Sequence, residues 1–389
     1  MRGAWQQTLF GVVLYLQLMS PPKKRGAHRA SLSSTNAGRR HQCSLQTASS
    51  GASVVESCNC TIPAQSEQEI LTVFRRTFAH VFTNTLNQSL QEIKGHLYNR
   101  NYLTAFGSEE YLQAYAVRWS PSRALAYRTI FLDTCMDVRR IFNLCKESSS
   151  LPMEIVCIGG GAGAEVVGAA AAMRDLAQER WKGQGGGGLG ISDKGNISVG
   201  EGDTPRECGN RLPRLHITAI DISPWSTILS SIITTLTTPY KIQSPFIPPN
   251  TLSVTFAQGD ILLGETASKI TKSTSLITLL FTTNELFTQS TAKATAFISS
   301  LGDRVSIGAL LMVVESAGDY STVKVGEREY PMPWLLDLIL VGRQDKESTG
   351  AWKKLVAEDS NWYRLPKGKL KYPIELENMR YMVRVYQRL

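Results

Sequence analysis

The sequence predicts an α/β fold, a doubly wound and mostly parallel sheet preceded by an N-terminal helical subdomain. Three observations carry that prediction. Apolar runs of strand length alternate with helical segments after Pro152, glycines crowd the point where the first strand gives way to a helix, and an acid closes the second strand. At 389 residues, 42% of them hydrophobic, the chain has material for one large domain with appendages or for two domains.

The helical reading starts at Ser66. Ile70, Val73, Phe74, Phe78, Val81 and Phe82, then Leu90, Ile93 and Leu97, recur at three- and four-residue steps. A second set, Tyr111, Leu112, Tyr115 and Ala116, leads to Trp119-Ser120-Pro121-Ser122. Serine suits a cap and proline a first turn, so a new helix is predicted from about Arg123 to Cys145.

Strands are predicted at Glu154–Ile158, Leu215–Ile220, Leu252–Phe256, Leu276–Phe281 and Ala309–Val314. Helices between them are predicted at Ala164–Arg180, Trp225–Thr235 and Glu285–Leu301, an alternation that requires crossover connections and parallel pairing. Tyr381–Tyr386 alternates apolar and charged residues and predicts an antiparallel edge strand closing the sheet. Trp181–Pro213 holds Gly185 to Gly188, shows no period and reads as a flexible insertion. The expected organisation is a tail over 1–65, helices over 66–150 and the α/β domain over 151–389.

The net charge of +9 is unevenly spread. Met1–Gln65 carries seven Lys/Arg against the single acid Glu56 and is rich in small polar residues, so it reads as a disordered basic tail. Trp362–Leu389 holds seven more Lys/Arg against Glu375 and Glu377, a candidate phosphate-facing surface whose bland alternative is a solvated face. Within the tail, Leu9–Met19 is apolar after Arg2 and imitates a secretory core, but it is too short to span a bilayer, and no stable membrane insertion is expected. A mitochondrial presequence, a nuclear signal at Lys23–Arg25 or a misassigned start fit equally. The seven cysteines form no pair or Cys/His set with zinc spacing, so reduced thiols and no metal are expected. None of the five histidines stands near a G-x-S-x-G elbow, which argues against a hydrolase triad.

The chemistry is carried by Ile158-Gly159-Gly160-Gly161-Ala162-Gly163-Ala164. A strand must turn sharply into a helix here, and glycines permit positive φ and close approach of backbone to a ligand. Gly159, Gly161 and Ala164 satisfy the dinucleotide template, while Gly159, Gly161 and Gly163 satisfy the G-x-G-x-G of S-adenosylmethionine enzymes, so a Rossmann-like sheet is expected without a choice of cofactor. Asp221, at the tip of the second strand, is placed to accept both ribose hydroxyls, or merely to cap the next helix. Its distance from the glycines is normal once the insertion is removed. Asp260 follows the third strand, where an acid can accept from an adenine amino group. Asn284 and Glu285 follow the fourth, either facing a substrate or capping a helix.

Taken together, Ile158-Gly-Gly-Gly-Ala-Gly-Ala-Glu165, Thr218-Ala-Ile-Asp-Ile-Ser-Pro-Trp225 and Leu280-Phe-Thr-Thr-Asn-Glu-Leu-Phe287 resemble the fungal large-subunit (25S) ribosomal RNA (uridine-N(3))-methyltransferase family, a class I methyltransferase group. Tyr330-Pro-Met-Pro-Trp334 and Trp362-Tyr-Arg-Leu-Pro366 are similar to its C-terminal motifs, and the likeness spans roughly Glu67–Leu389. The resemblance implies a class I methyltransferase sheet, S-adenosyl-L-methionine as cofactor held at Gly159, Gly161, Gly163, Asp221 and Asp260, and Asn284 and Glu285 at the substrate edge. It also implies ribosomal RNA or a pre-ribosomal particle as partner, and the nucleus and nucleolus as compartment. Cys157 departs from the class pattern, which often places an acid there to order the glycine turn.

Transfer to N3 of a uridine requires that its proton leave, and Glu285 or Asn284 is expected in that role. N3 lies on the pairing edge, so the nucleotide must be unpaired or flipped. Trp362, Tyr363 and Tyr372 are expected to stack RNA bases. Two rivals stand beside this reading: an NAD-dependent oxidoreductase, which lacks a Tyr-x-x-x-Lys pair, and a catalytically inactive methyltransferase-like ribosome-assembly factor.

Overall fold

A computed structural model of the chain describes residues 64–143, 152–183, 213–241, 244–318, 322–325, 328–342, 350–366 and 368–389. The basic tail, apart from residues 64 and 65, and nearly all of the glycine-rich insertion lie outside the described residues.

Five parallel strands form the centre of one seven-stranded sheet: β1 Met153–Ile158, β2 Leu215–Asp221, β3 Leu252–Gln258, β4 Thr274–Leu280 and β5 Leu310–Ser316. A small hairpin follows, β6 Thr322–Val325 with β7 Arg328–Pro331. Two long C-terminal strands, β8 Trp352–Tyr363 and β9 Met379–Arg388, complete the sheet in the order β3-β2-β1-β4-β5-β9-β8. β9 runs antiparallel to both β5 and β8. The expected doubly wound sheet is therefore present. The segment 381–386, expected at the edge, is instead enclosed by β8.

Alternation of side chains along each strand divides the core in two. Ile155 and Cys157 of β1 join one hydrophobic cluster, while Val156 and Ile158 join the other. The first cluster is roofed by α1 Ala64–Thr77, α2 Leu86–Tyr98, the short α3 Tyr102–Ala105, α4 Glu109–Asp133, α5 Met136–Asn143, α6 Ala164–Gly183 and α7 Ser226–Thr237. The second is covered by α8 Thr283–Gln289, α9 Thr291–Arg304 and α10 Met332–Leu340. The N-terminal helices thus share a continuous core with one sheet face. A buried ion pair between Arg128 of α4 and Asp175 of α6 ties them to it, and Ser66 Oγ of α1 donates to the other Asp175 oxygen at 2.8 Å.

Two helix boundaries differ from the sequence expectation. The predicted helix start at Ser120-Pro121 is the middle of the 25-residue α4, which Ser108 caps by accepting the Tyr111 N–H. Proline in a helix interior leaves the carbonyl four residues earlier without its donor. Here that carbonyl belongs to Val117, and the Tyr372 hydroxyl donates to it at 3.0 Å. The predicted single helix over 285–301 is broken at Ser290, whose extended backbone ends α8 and whose hydroxyl caps α9.

Tyr372 lies in the segment between β8 and β9, which straps α4 and α1. Arg118 pairs with Glu377 and donates to the Glu375 carbonyl, and Gln68 exchanges two hydrogen bonds with the Lys371 backbone. Leu365, Leu370, Ile374 and Leu376 pack against the core beneath. Tyr363 is also buried, its hydroxyl donating to Glu67. Tyr363 and Tyr372 are therefore structural and unavailable for base stacking, contrary to expectation, and Trp362 alone of the three remains exposed.

This arrangement gives a test of the proline substitute. Tyr372→Phe is expected to lower stability to urea by about 1–2 kcal/mol, because the Val117 carbonyl loses its donor. Pro121→Ala supplies a backbone N–H for that carbonyl, so in its background the same change should cost less than half as much. Equal costs in both backgrounds would show that the tyrosine does not serve the carbonyl.

Candidate active site

The strand order reverses between β1 and β4, and in open α/β sheets the crevice at the carboxyl ends of such strands is where ligands bind. A cavity of about 470 Å³ opens there. Its floor is the glycine turn. Gly159 has φ +79°, and a Cβ on it would stand 2.2 Å from Thr282 Oγ1, whose hydroxyl donates to the Ile158 carbonyl. A Cβ on Gly161 would lie 2.0 Å from the Trp225 ring, so the indole packs directly on backbone.

That close contact leaves the Gly161 N–H free to donate to Asp221 Oδ2 at 3.2 Å. The other Asp221 oxygen accepts from the Ser223 N–H at 3.1 Å, and the Trp225 indole also bonds the carboxylate. Burial nevertheless pushes Asp221 up to about 6, against the pull of these donors. Ile222 beside it is 48% exposed and, with Ile261, offers an apolar slab on the cavity wall.

The opposite wall is aromatic. Phe106 meets Tyr115 edge-on at 5.1 Å and Trp225 at 5.4 Å, and Phe281 projects into the same cavity from the tip of β4. Arg123 stands among them, donating to the Tyr115 hydroxyl at 2.7 Å with its guanidinium 5.3 Å from the Phe281 ring centre. Over the mouth, α3 is held by Asn101, which caps it, and by Arg100, which donates to Thr288 Oγ1 of α8 at 3.0 Å.

Of the residues expected from sequence, Gly159, Asp221, Asp260 and Glu285 line this cavity. Asp260 is already engaged, capping Leu262 and accepting from Gln289 at 2.6 Å. Gly161 and Gly163 lie behind the wall, where a Cβ on Gly163 would stand 2.4 Å from Ile232. Asn284 does not line the cavity: its N–H donates to Glu315 Oε2 at 3.2 Å, and its side chain bonds the same carboxylate. Successive helical residues point about 100° apart, so Glu285 takes the cavity position. Glu285 is open to solvent through the mouth, yet the mass of the walls, the Asp221 carboxylate and Glu315 push it up to about 7, with Arg123 opposing.

Sequence reasoning missed two acids and most of the aromatic wall. Glu165, 3% exposed in the first turn of α6, reaches back beneath the turn and accepts from Thr278 Oγ1 at 2.7 Å. Burial pushes it up to about 8, so it is largely protonated at neutral pH. A Cβ on Gly160 would stand 2.5 Å from its carboxyl, and Cys157 is the next nearest neighbour. The acid that Cys157 replaces on the strand is thus answered by one from the helix. Its signal was the Glu closing the glycine run itself.

Comparison with known proteins follows this geometry. A family model described as "Putative SAM-dependent methyltransferase" matches residues 74–387. The 25S rRNA (uridine(2843)-N(3))-methyltransferase of Saccharomyces cerevisiae is 34% identical over 330 residues, covering 82% of this chain and 85% of its own. Among solved structures, a SAM-dependent methyltransferase from Methanosarcina mazei is 12% identical with TM-score 0.32, covering 62% of this chain and 95% of its own. An N-methyltransferase from Bradyrhizobium japonicum in complex with S-adenosyl-L-homocysteine is 13% identical with TM-score 0.31, covering 69% and 86%. Scores this low leave the chemistry to the sequence relatives, and these remove the oxidoreductase alternative: the chain belongs to a family of SAM-dependent methyltransferases.

Proposed function

We propose that this protein methylates N3 of a uridine in large-subunit ribosomal RNA, acting on the RNA or a pre-ribosomal particle in the nucleolus. The observation that carries the reading is Glu285, a carboxylate titrating near neutrality inside an aromatic cavity that also presents Asp221. The yeast relative's name supplies the base and the position.

The residues fit S-adenosyl-L-methionine. A volume of about 470 Å³ is within the range for a ligand of this size. Asp221 offers acceptor capacity for a ribose diol, and Ile222 with Ile261 offers a slab for adenine. Asp260 lines the same cavity, its two oxygens already accepting from Leu262 and Gln289, and keeps acceptor capacity for an adenine amino group. Gly161 and Gly163 act from behind, by admitting Trp225 and Ile232 to the turn. When bound, the cofactor supplies an electrophilic methyl group on a sulfonium centre.

The rest of the reaction falls to the chain's own side chains. The partly exposed rings of Phe106 and Phe281, backed by the buried Tyr115 and Trp225, receive a flipped, uncharged base, for which stacking replaces what the RNA helix loses. Glu285, as carboxylate, accepts the N3 proton. Arg123 is the cation beside it and stabilises charge spreading to the uracil oxygens. Asn284 holds Glu315 in place and acts on the site only through it.

Calorimetric titration should detect S-adenosylmethionine and S-adenosylhomocysteine but not NAD, and Asp221→Ala should weaken both by about tenfold or more, the loss of one or two charge-assisted hydrogen bonds. A folded protein that binds none of the three would be a scaffold. Glu285→Gln should lower kcat by about 10²–10⁴ with cofactor affinity nearly unchanged. Because Glu285 serves as a base only when ionised, and its pKa is raised, wild-type kcat should fall as pH drops through about 7. That inflection should vanish in Glu285→Gln. An undiminished kcat in the variant removes Glu285 as the base.

A further inference from the structure

A second feature faces the same edge of the sheet. Trp362, 49% exposed at the end of β8, has the Arg364 guanidinium 4.6 Å and the Arg380 guanidinium 6.0 Å from its ring centre. The indole thus offers a ring face to solvent with two cations on its flank. Among the described residues neither arginine forms an ion pair with an acid: Arg380 Nε donates to the Ser360 hydroxyl, while Glu358 bonds Asn361 and Asp359 pairs with Arg384.

The ladder fixes where this cluster lies. Ser316, the last residue of β5, pairs with Tyr381, and Arg380 pairs with Trp362. The cluster therefore sits at the carboxyl ends of the parallel strands, the end that carries the cavity. Tyr381 and Val383 belong to the cluster under the N-terminal helices, Met382 and Tyr386 to the one under α8–α10. By alternation Arg380 and its partner Trp362 face the α8 side, the side of Glu285. From β4 to β8 there are three strand spacings, roughly 14 Å. A single strand with one base in the cavity would pass the cluster within a few nucleotides.

We propose that Trp362, Arg364 and Arg380 form a docking surface for single-stranded RNA next to the target nucleotide, with one unpaired base stacked on the free face of Trp362 and phosphates met by the two arginines. The proposal rests on the RNA-methyltransferase reading and adds its substrate class: the target uridine must have unpaired neighbours. Stacking on an aromatic ring and contact with a phosphate are the two terms by which single strands are gripped without sequence readout.

The test uses the full chain and a short, fluorescently labelled, uridine-containing single-stranded RNA, read by anisotropy. Trp362→Ala should weaken binding about tenfold, and Trp362→Phe should restore most of it. Arg364→Ala and Arg380→Ala should each flatten the slope of log affinity against log salt by roughly 0.7. Affinity for S-adenosylmethionine, measured in parallel, should not move, which also shows that the variants fold. Trp362→Ala binding RNA within about twofold of wild type overturns the docking surface while leaving the methylation reading intact. RNA binding that depends on Trp362 in a protein that methylates no uridine sustains the surface and overturns that reading, and wild type that binds no RNA overturns both.

Discussion

The hydrogen bond from the Gly161 N–H to the Asp221 carboxylate is the interaction on which the site depends. It joins the turn after β1 to the tip of β2, and it exists because residue 161 has no Cβ to hold Trp225 away. Trp225 in turn meets Phe106 and Tyr115, so one backbone donor aligns the sheet, the start of α7 and the N-terminal helices. The arrangement also concentrates acid. The walls and the neighbouring carboxylates push Glu165, Asp221, Glu285 and Glu315 all upward, with Arg100 and Arg123 as cations lining the cavity. Such a cavity suits a sulfonium cation and an uncharged base.

The central sheet was legible because its signals are local. Strands β1, β2, β4 and β5 are largely apolar runs, since a parallel strand covered on both faces needs apolar residues at successive positions, and β3, at the edge, shows instead an apolar and polar alternation. The glycine turn and Asp221 stand at strand ends, where chain direction alone implies a site. β8 was not legible: as an edge strand it is only partly covered, and Lys353, Glu358, Asp359 and Asn361 break any alternation. Pro121 misled for a different reason. The feature that serves the carbonyl it leaves open is the Tyr372 hydroxyl, 255 residues from Val117, and no local pattern encodes a donor at that distance.

The same distinction divides the site. Gly159, Asp221, Asp260 and Glu285 stand at or just beyond strand ends and were found from their place in the chain. Tyr102, Phe106, Tyr115 and Arg123 come from the helical segment, where their periodicity is that of any buried helix face. Their meeting with Trp225 and Phe281 is decided by how α3 and α4 cross the sheet. Between Asn284 and Glu285 position in the sequence did not choose, because both follow the strand; chemistry separates them only in that an amide can orient a uracil but not take its proton. The fold chooses by rotation: one turns to Glu315 and the other to the cavity.

Phe281 shows what the fold does with that freedom. It adopts φ +61°, a left-handed backbone that costs a residue with a side chain about 1–2 kcal/mol. The strain is held from both sides: the Phe281 N–H donates to the Val314 carbonyl at 2.8 Å, and the next residue, Thr282, is anchored to Ile158. A right-handed conformation would carry the ring away from Arg123 and the cavity. Because β4 and β5 fix the peptide and the turn after β1 fixes Thr282, the strained residue cannot relax without disturbing three strands. The aromatic ring is thereby set at the junction of the glycine turn, Arg123 and Glu285, where the proposed reaction needs a base held flat with its pairing edge open.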